Sequence, residues 1–397
     1  MQKTTELSDI IIIGAGPVGS YTARVLAGKG YNVTVLEKRS SLGEPVCCAG
    51  IISPDCFDQL DVNIPLANSF CGAQVYSPLG QVLELRRPSV QAVVIDRGLL
   101  DSAMAESASR SGATFKFGVN VKRIDIDDCG ATVHTENNAV VYHGQVVIIA
   151  TGFNPLFTTS LNLGSPDRFA VGVQARVNLA SSQPLSIFTS YDFTPGFFSW
   201  VVPIENGTAL AGLLSRKNAA RNFKTFIKHL KDSGTIAAAE QPCYRGVNLS
   251  LLGRTYGQRM IVIGDAAGQV KPVTGGGILY GIKGAGCAID TVEQAFEQGK
   301  FNAGSLSGYK RKLKKVLGRD IRLGQLARKA YEKLDECRIE SAFSAAVKTG
   351  IVDKLSNDEQ LKFDDHGAVM LRLMKTPAFY KMFGSILMPP RKNDYDL

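Results

Sequence analysis

With 397 residues, the chain is long enough for two or three domains of the usual ~100–200 residues. At 45% hydrophobic and 20% charged, its composition excludes a disordered or fibrous protein. Its apolar runs fall short of the ~20 residues that cross a bilayer, and Met1 to Ser8 is too short and too polar for an export signal. Eight cysteines with no C-x-x-C pair and four unclustered histidines argue against a metal site and for a reducing, cytoplasmic setting.

Asp9 to Ile13 reads as a buried strand that runs into Gly14-Ala15-Gly16-Pro17-Val18-Gly19 and a helix over Ser20 to Lys29. A second strand, Tyr31 to Leu36, ends in Glu37. This is G-x-G-x-x-G in a strand-turn-helix-strand unit with an acidic residue about 20 positions on, the setting that a dinucleotide fingerprint requires. Gly14 makes the tight turn, Gly16 lets the backbone approach a pyrophosphate, and Gly19 permits close helix packing. Glu37 would accept the ribose hydroxyls.

Further along, Val93 to Asp101 predicts a strand turning into a helix, with Arg97 at the junction. Val146 to Ala150, then Thr151-Gly152, predicts another buried strand with a small-residue turn. Segments such as Ala170 to Val177 and Thr208 to Leu214 alternate apolar and polar residues as half-buried strands do. Ile261 to Ile263 is a short strand followed by Gly264-Asp265-Ala266-Ala267-Gly268 and Lys271-Pro272-Val273-Thr274-Gly275-Gly276-Gly277-Ile278. The glycines leave room for a flat ring, Asp265 is placed for ribityl or ribose hydroxyls, and a helix over Leu279 to Phe296 would aim its N-terminus at an anionic ring.

The +9 net charge is concentrated late. Between Tyr309 and Lys333 lie ten Lys and Arg against Asp320 and Glu332, with Leu313, Val316, Leu317, Ile321, Leu323 and Leu326 interleaved at spacings compatible with a helix face. Such a helix either lies on an anionic membrane surface, binds an acidic partner, or covers the dinucleotide domain with a solvated face. Nothing accompanying the charge suggests nucleic acid.

The order of these pieces resembles the FAD-binding fold of aromatic hydroxylases, in which the arginine, here Arg97, approaches the flavin nucleotide and the late Gly-Asp segment closes over it. The expected architecture is α/β, with a discontinuous Rossmann-type FAD-binding domain from residues 1–66, 91–160 and 254–300. Residues 67–90 and 161–253 would form an antiparallel substrate sheet roofing the flavin, and 301–397 a helical C-terminal region.

Gly43-Glu44-Pro45-Val46-Cys47-Cys48-Ala49-Gly50-Ile51-Ile52-Ser53, the triple glycine, and Pro195-Gly196-Phe197-Phe198-Ser199-Trp200-Val201-Val202-Pro203 together resemble the geranylgeranyl reductase family. So does the C-terminal stretch around Phe363-Asp364-Asp365-His366-Gly367. The family's usual Lys-Gly after the aromatic strand is replaced by Ile204-Glu205-Asn206-Gly207. The resemblance implies FAD contacts at Gly14, Gly16, Val18, Glu37, Cys48, Ala49, Ile51, Arg97, Asp265, Gly277 and Ile278, with Gly19 and Gly276 completing their loops and Val121 near the adenine.

It also implies a reductase that saturates isolated prenyl double bonds, in the archaeal branch those of digeranylgeranylglycerophospholipids. Cys48 would be a proton donor, one half of a gating thiol pair with Cys287, or a small packing residue. Phe197, Phe198 and Trp200 would line an apolar channel. The electron donor stays open among ferredoxin, NADPH and other reductants, as does peripheral contact with the membrane. The same fold also serves flavin monooxygenases, halogenases and electron-transfer flavoproteins.

Overall fold

The computed structural model describes residues 4–358 except 45, 137–139 and 206, together with 361–364, 367, 369 and 372. Residues Asp365 and His366 of the C-terminal motif, and the chain from 373 on, lie outside the described residues.

Five parallel strands make the base of the flavin domain, in the order Met260–Val262, Val140–Ile149, Thr4–Ile13, Val33–Leu36 and Thr114–Lys116. Their centres are continuous apolar runs, as strands covered on both faces require: Ile10, Ile11, Ile12, Val146, Val147 and Ile148 have no exposed surface. The helices Pro17–Gly28 and Ile278–Gln298 cover one face. A hairpin, Val121–Ile126 with Ala131–Thr135, extends the sheet from Val140–Ile149. A small three-stranded sheet, Ile51–Ile52, Ala92–Ile95 and Leu66–Phe70, stands beside it, so Leu66 to Phe70 belongs with the flavin-domain strands.

The second large sheet runs Ile236–Ala239, Phe169–Leu179, Thr208–Ser215, Ser199–Pro203, Ser186–Phe188, Gly72–Tyr76 and Val82–Arg86, with Cys243–Asn248 also on Phe169–Leu179. It is antiparallel except where Ser186–Phe188 runs parallel to Gly72–Tyr76. Phe223, Phe226 and Leu230 of the helix Ala219–Asp232 back it against Val173, Val201 and Leu213.

The C-terminal region is helical over Gly308–Tyr331, Glu336–Thr349 and Ile351–Ser356. Leu313, Leu317 and Ile321 of the basic helix are buried in one core with Ala285, Ala288, Ile289 and Val292 of Ile278–Gln298. Most of the apolar stripe seen in the sequence is therefore used against the flavin domain, while Val316 and Leu326 stay exposed with the charged face. The next helices hold the Gly72–Arg86 hairpin: Glu340 accepts from the Leu79 amide at 3.1 Å, and Gln81 donates to Ser344 at 3.0 Å.

Candidate functional site

The two glycine loops meet because small residues let them. Gly14 has φ +107°, and a Cβ there would lie 2.5 Å from the Ala150 carbonyl oxygen. At Gly19 a side chain would strike the Gly14 carbonyl. Val18 projects from the fingerprint onto Gly264, where a Cβ would be 3.4 Å away, and onto Gly281, where it would overlap. The N-terminal turn and the Gly-Asp turn thus share one packed contact. Gly16 differs: its φ of −70° suits any residue and a Cβ would meet nothing within 4 Å, so it keeps open the surface that a pyrophosphate would approach.

Glu37, 5% exposed, ends the second strand. One carboxylate oxygen accepts from the Ala15 amide at 2.8 Å and the other from the Arg39 amide at 3.0 Å. Burial alone would raise its pKa, but these amides and the Arg39 guanidinium outweigh it and hold the group below the usual carboxylate value, hence ionised. Gly118 and Val119 donate to the Arg39 and Glu37 carbonyls, which brings the strand beginning at Val121 alongside.

Arg97 opens the helix Arg97–Arg110, whose N-cap is Asp96 (2.9 Å to the Leu99 amide). Its guanidinium bonds Asp101 at 2.8 Å and also the Cys48 thiol. Burial opposes its charge; Asp101 and Cys48 more than offset that. Cys48 Sγ accepts from the Gly50 amide at 3.5 Å, and its carbonyl accepts from Gln174 Nε2 of the roof at 3.1 Å. Gly50 and Gly98 let this loop lie against Ile95 and Gly43, where side chains would clash.

On the far wall, Asp265 stands in the turn Gly264–Ala267 with its carbonyl accepting from Asn248 at 2.8 Å and its carboxylate 3.6 Å from Arg245. A Cβ at Gly277 would collide with that carboxylate, whereas Gly276 is exposed. Ile278 starts the long helix directly after them. Gln269 ties the turn to its surroundings. Its side chain accepts from the Gly264 amide at 2.7 Å and donates to the buried Tyr309 hydroxyl, which donates to the Val262 carbonyl at 2.9 Å. Burial pushes the Tyr309 phenol up, so it stays protonated.

Arg97 Nε, Thr151 Oγ1, Gln174 Oε1, Asn248 Oδ1 and Trp200 Nε1 are buried without a protein partner, all on segments around these loops. A buried polar atom without a partner costs ~1–3 kcal/mol. Unpaired donors and acceptors so placed suit a ring system that is itself rich in both, and the residues fit a flavin nucleotide.

Residues 9–82 match the family described as FAD dependent oxidoreductase. A digeranylgeranylglycerophospholipid reductase of Methanosphaera stadtmanae is 26% identical over 76% of this chain and 79% of its own length. A protein of the same name from Methanocaldococcus jannaschii is 25% identical over 98% of this chain and all of its own. A solved structure described as geranylgeranyl bacteriochlorophyll reductase-like, from Thermoplasma acidophilum, superposes with a TM-score of 0.82 at 22% identity, covering 96% of this chain and 98% of that one. Over most of its length the chain is thus similar to proteins named as geranylgeranyl-lipid reductases, and it shares the fold of one described as reductase-like. Its cofactor is FAD.

Two expectations for the site are corrected. Cys287 is no partner for Cys48: it is buried in the core that includes Tyr309 and Leu313 of the basic helix, on the side of its helix that faces Lys312. Phe197 lines no open channel. It is 2% exposed, packs with Ala170, Leu214 and Leu249, and lies under the Arg328 guanidinium at 3.4 Å. Trp200 is half-buried and reaches both that cluster and the one containing Ala49 and Ile51, with Phe198 tilted against it at 5.9 Å.

The sequence reading missed Gln174, Arg245 and Asn248, which no motif marks because they are single positions on roof strands. It also missed the thiol pair that the fold does form. Cys47 hydrogen-bonds Cys243, whose Sγ lies 3.3 Å from the Gln174 carbonyl. That bond, with burial second, pushes Cys47 up, while Cys243, bonded by Cys47 and exposed, is lowered to about 7.

Two outcomes are expected. Gly16→Val should leave the fold and melting temperature near wild type, since the apo chain has room for it, yet yield protein without a flavin spectrum. Alkylation of Cys243, followed by peptide mass spectrometry, should rise with pH through about 7, as the thiolate forms above its lowered pKa, and Cys47→Ala should move that midpoint up towards an ordinary thiol.

Proposed function

We propose that this chain is a reductase that saturates isolated double bonds of geranylgeranyl chains, with archaeal-type digeranylgeranylglycerophospholipids as its substrate class. The observation that carries the reading is the apolar wall over the cysteine loop. Ala49 and Ile51 pack with Phe70, Ala73, Trp200 and Val202, so a hydrocarbon chain on that side of the loop would meet mainly apolar side chains. The names of the methanogen relatives support the lipid class.

Bound FAD supplies the hydride chemistry. An isolated alkene is a weak acceptor, so the chain must contribute position and exclusion of water. Gln174 holds the Cys48 carbonyl against the roof, and the roof strand Ser199–Pro203 closes the apolar wall above it. Cys48 is the proposed proton donor. Its sulfur accepts from the Gly50 amide and from Arg97, which fixes the thiol while leaving its S–H proton to transfer. Arg97, braced by Asp101, then faces the sulfur that has lost a proton.

Given a chemical reductant and no oxygen, the enzyme should add hydrogen to a geranylgeranyl glycerophospholipid two atoms at a time, read by mass spectrometry. Cys48→Ala should keep FAD and lose ~10²–10⁴-fold in rate, the usual range for a general acid. Oxygen-dependent gain of one oxygen atom by the lipid would instead make the protein a monooxygenase and overturn the proposal.

The basic helix fits the same substrate. Lys310, Arg311, Lys314, Lys315, Arg322 and Lys329 are exposed and make no ion pair among the described residues. We propose that this stripe rests on anionic headgroups. With the apolar face already packed, the attraction is electrostatic, about 1 kcal/mol per cation near the surface, and is screened by salt. The protein should co-sediment with vesicles of an anionic phospholipid but not with phosphatidylcholine. Added salt, or Lys314→Glu with Lys315→Glu and Arg322→Glu, should release it; binding that ignores both would refute the contact.

A further inference from the structure

Three buried polar groups from distant stretches meet beside the flavin loops. Asp364 is 8% exposed; one carboxylate oxygen accepts from Lys271 Nζ and the other from Ser53 Oγ. Lys271, 6% exposed, opens the glycine loop: its amide donates to the Gly276 carbonyl at 3.0 Å and its carbonyl accepts from the Gly275 amide at 2.8 Å. Ser53 follows Ile51 and Ile52 at the end of the cysteine loop and caps the next helix by accepting from the Cys56 amide at 3.0 Å.

The turn carrying Asp364 is itself held. Phe363 places its ring 5.2 Å from Lys271 Nζ. Arg87, from the roof hairpin, donates to the carbonyls of Leu355, Ser356, Asp358 and Leu361. Asp364 is the only ion-pair partner of Lys271 among the described residues. A buried pair of this kind adds little net stability over an apolar replacement, because desolvation offsets attraction. Its distinctive effect is geometric, since each charge tolerates only one place for the other.

We propose that Asp364 is a positioning residue for FAD, clamping the glycine loop to the cysteine loop and so setting the spacing of the two walls that receive the flavin. The inference rests on the FAD assignment and not on the prenyl-lipid reading, and its test needs no substrate.

FAD would be titrated into apo protein of the wild type, Asp364→Asn and the double variant Lys271→Met/Asp364→Leu, with melting temperature and the visible flavin bands recorded. Asp364→Asn should weaken FAD binding at least about tenfold and shift the bands. The double variant, which removes both charges, should regain the melting temperature but not the affinity or the bands, and it carries the test if the single variant does not fold. Wild-type affinity and spectrum in Asp364→Asn would overturn the proposal. So would a double variant whose FAD affinity returns together with its melting temperature, which would mean that the pair acts on stability alone.

Discussion

Val18 is the contact on which the rest of the site depends. It projects from the N-terminal glycine loop onto Gly264, whose φ of +66° favours glycine, and onto Gly281, which has no room for a Cβ. That single packing contact sets the fingerprint helix against both the Gly-Asp turn and the long helix behind it. The strands carrying these turns are already neighbours through Val140–Ile149. Gln269, accepting from the Gly264 amide and donating to Tyr309, then holds the turn in register with the basic helix. Interiors at crystal-like density transmit such constraints, so the spacing of the two loops is a property of the whole flavin domain.

Polar contacts join the roof sheet to this base. Gln174 reaches the Cys48 carbonyl, Asn248 the Asp265 carbonyl, and Arg245 the Asp265 carboxylate. Around them, Trp200 and its neighbours make apolar contact with Ala49 and Ile51. A flat cofactor between base and roof would thus meet fixed polar groups along one rim and hydrocarbon along the other. The Arg328 guanidinium over Phe197, with the Tyr331 hydroxyl on the Phe197 carbonyl at 2.9 Å, anchors the outer side of the roof to the basic helix.

The adjacent cysteines are used in opposite directions. Cys48 turns towards Arg97 in the flavin domain, and Cys47 towards Cys243 on the roof strand. Both residues lie in a bend of the loop, and the two thiols in sequence serve two surfaces. Cys287 stands on the other side of its helix, packed where its sulfur meets only the core and the edge of the basic helix.

The sequence by itself determined the elements that local chemistry dictates. Glycines with a conformation or a contact that no other residue tolerates marked both loops. Apolar runs marked the parallel strands, Glu37 and Arg97 fell where strand becomes loop or helix, and period-3.6 leucines marked the basic helix. Tertiary structure alone decided which side chains meet across those elements. Cys243 rather than Cys287 reaches the cysteine loop because the roof strand Cys243–Asn248 folds over that loop, while Cys287 faces away on its helix. Phe197 became core because the end of the basic helix lands on it. Asp364, remote in the chain from both Lys271 and Ser53, joins them only after the C-terminal helices have packed on the roof hairpin. Spacing along a chain encodes periodicity and turns; partners at long range are chosen by packing, which no local pattern records.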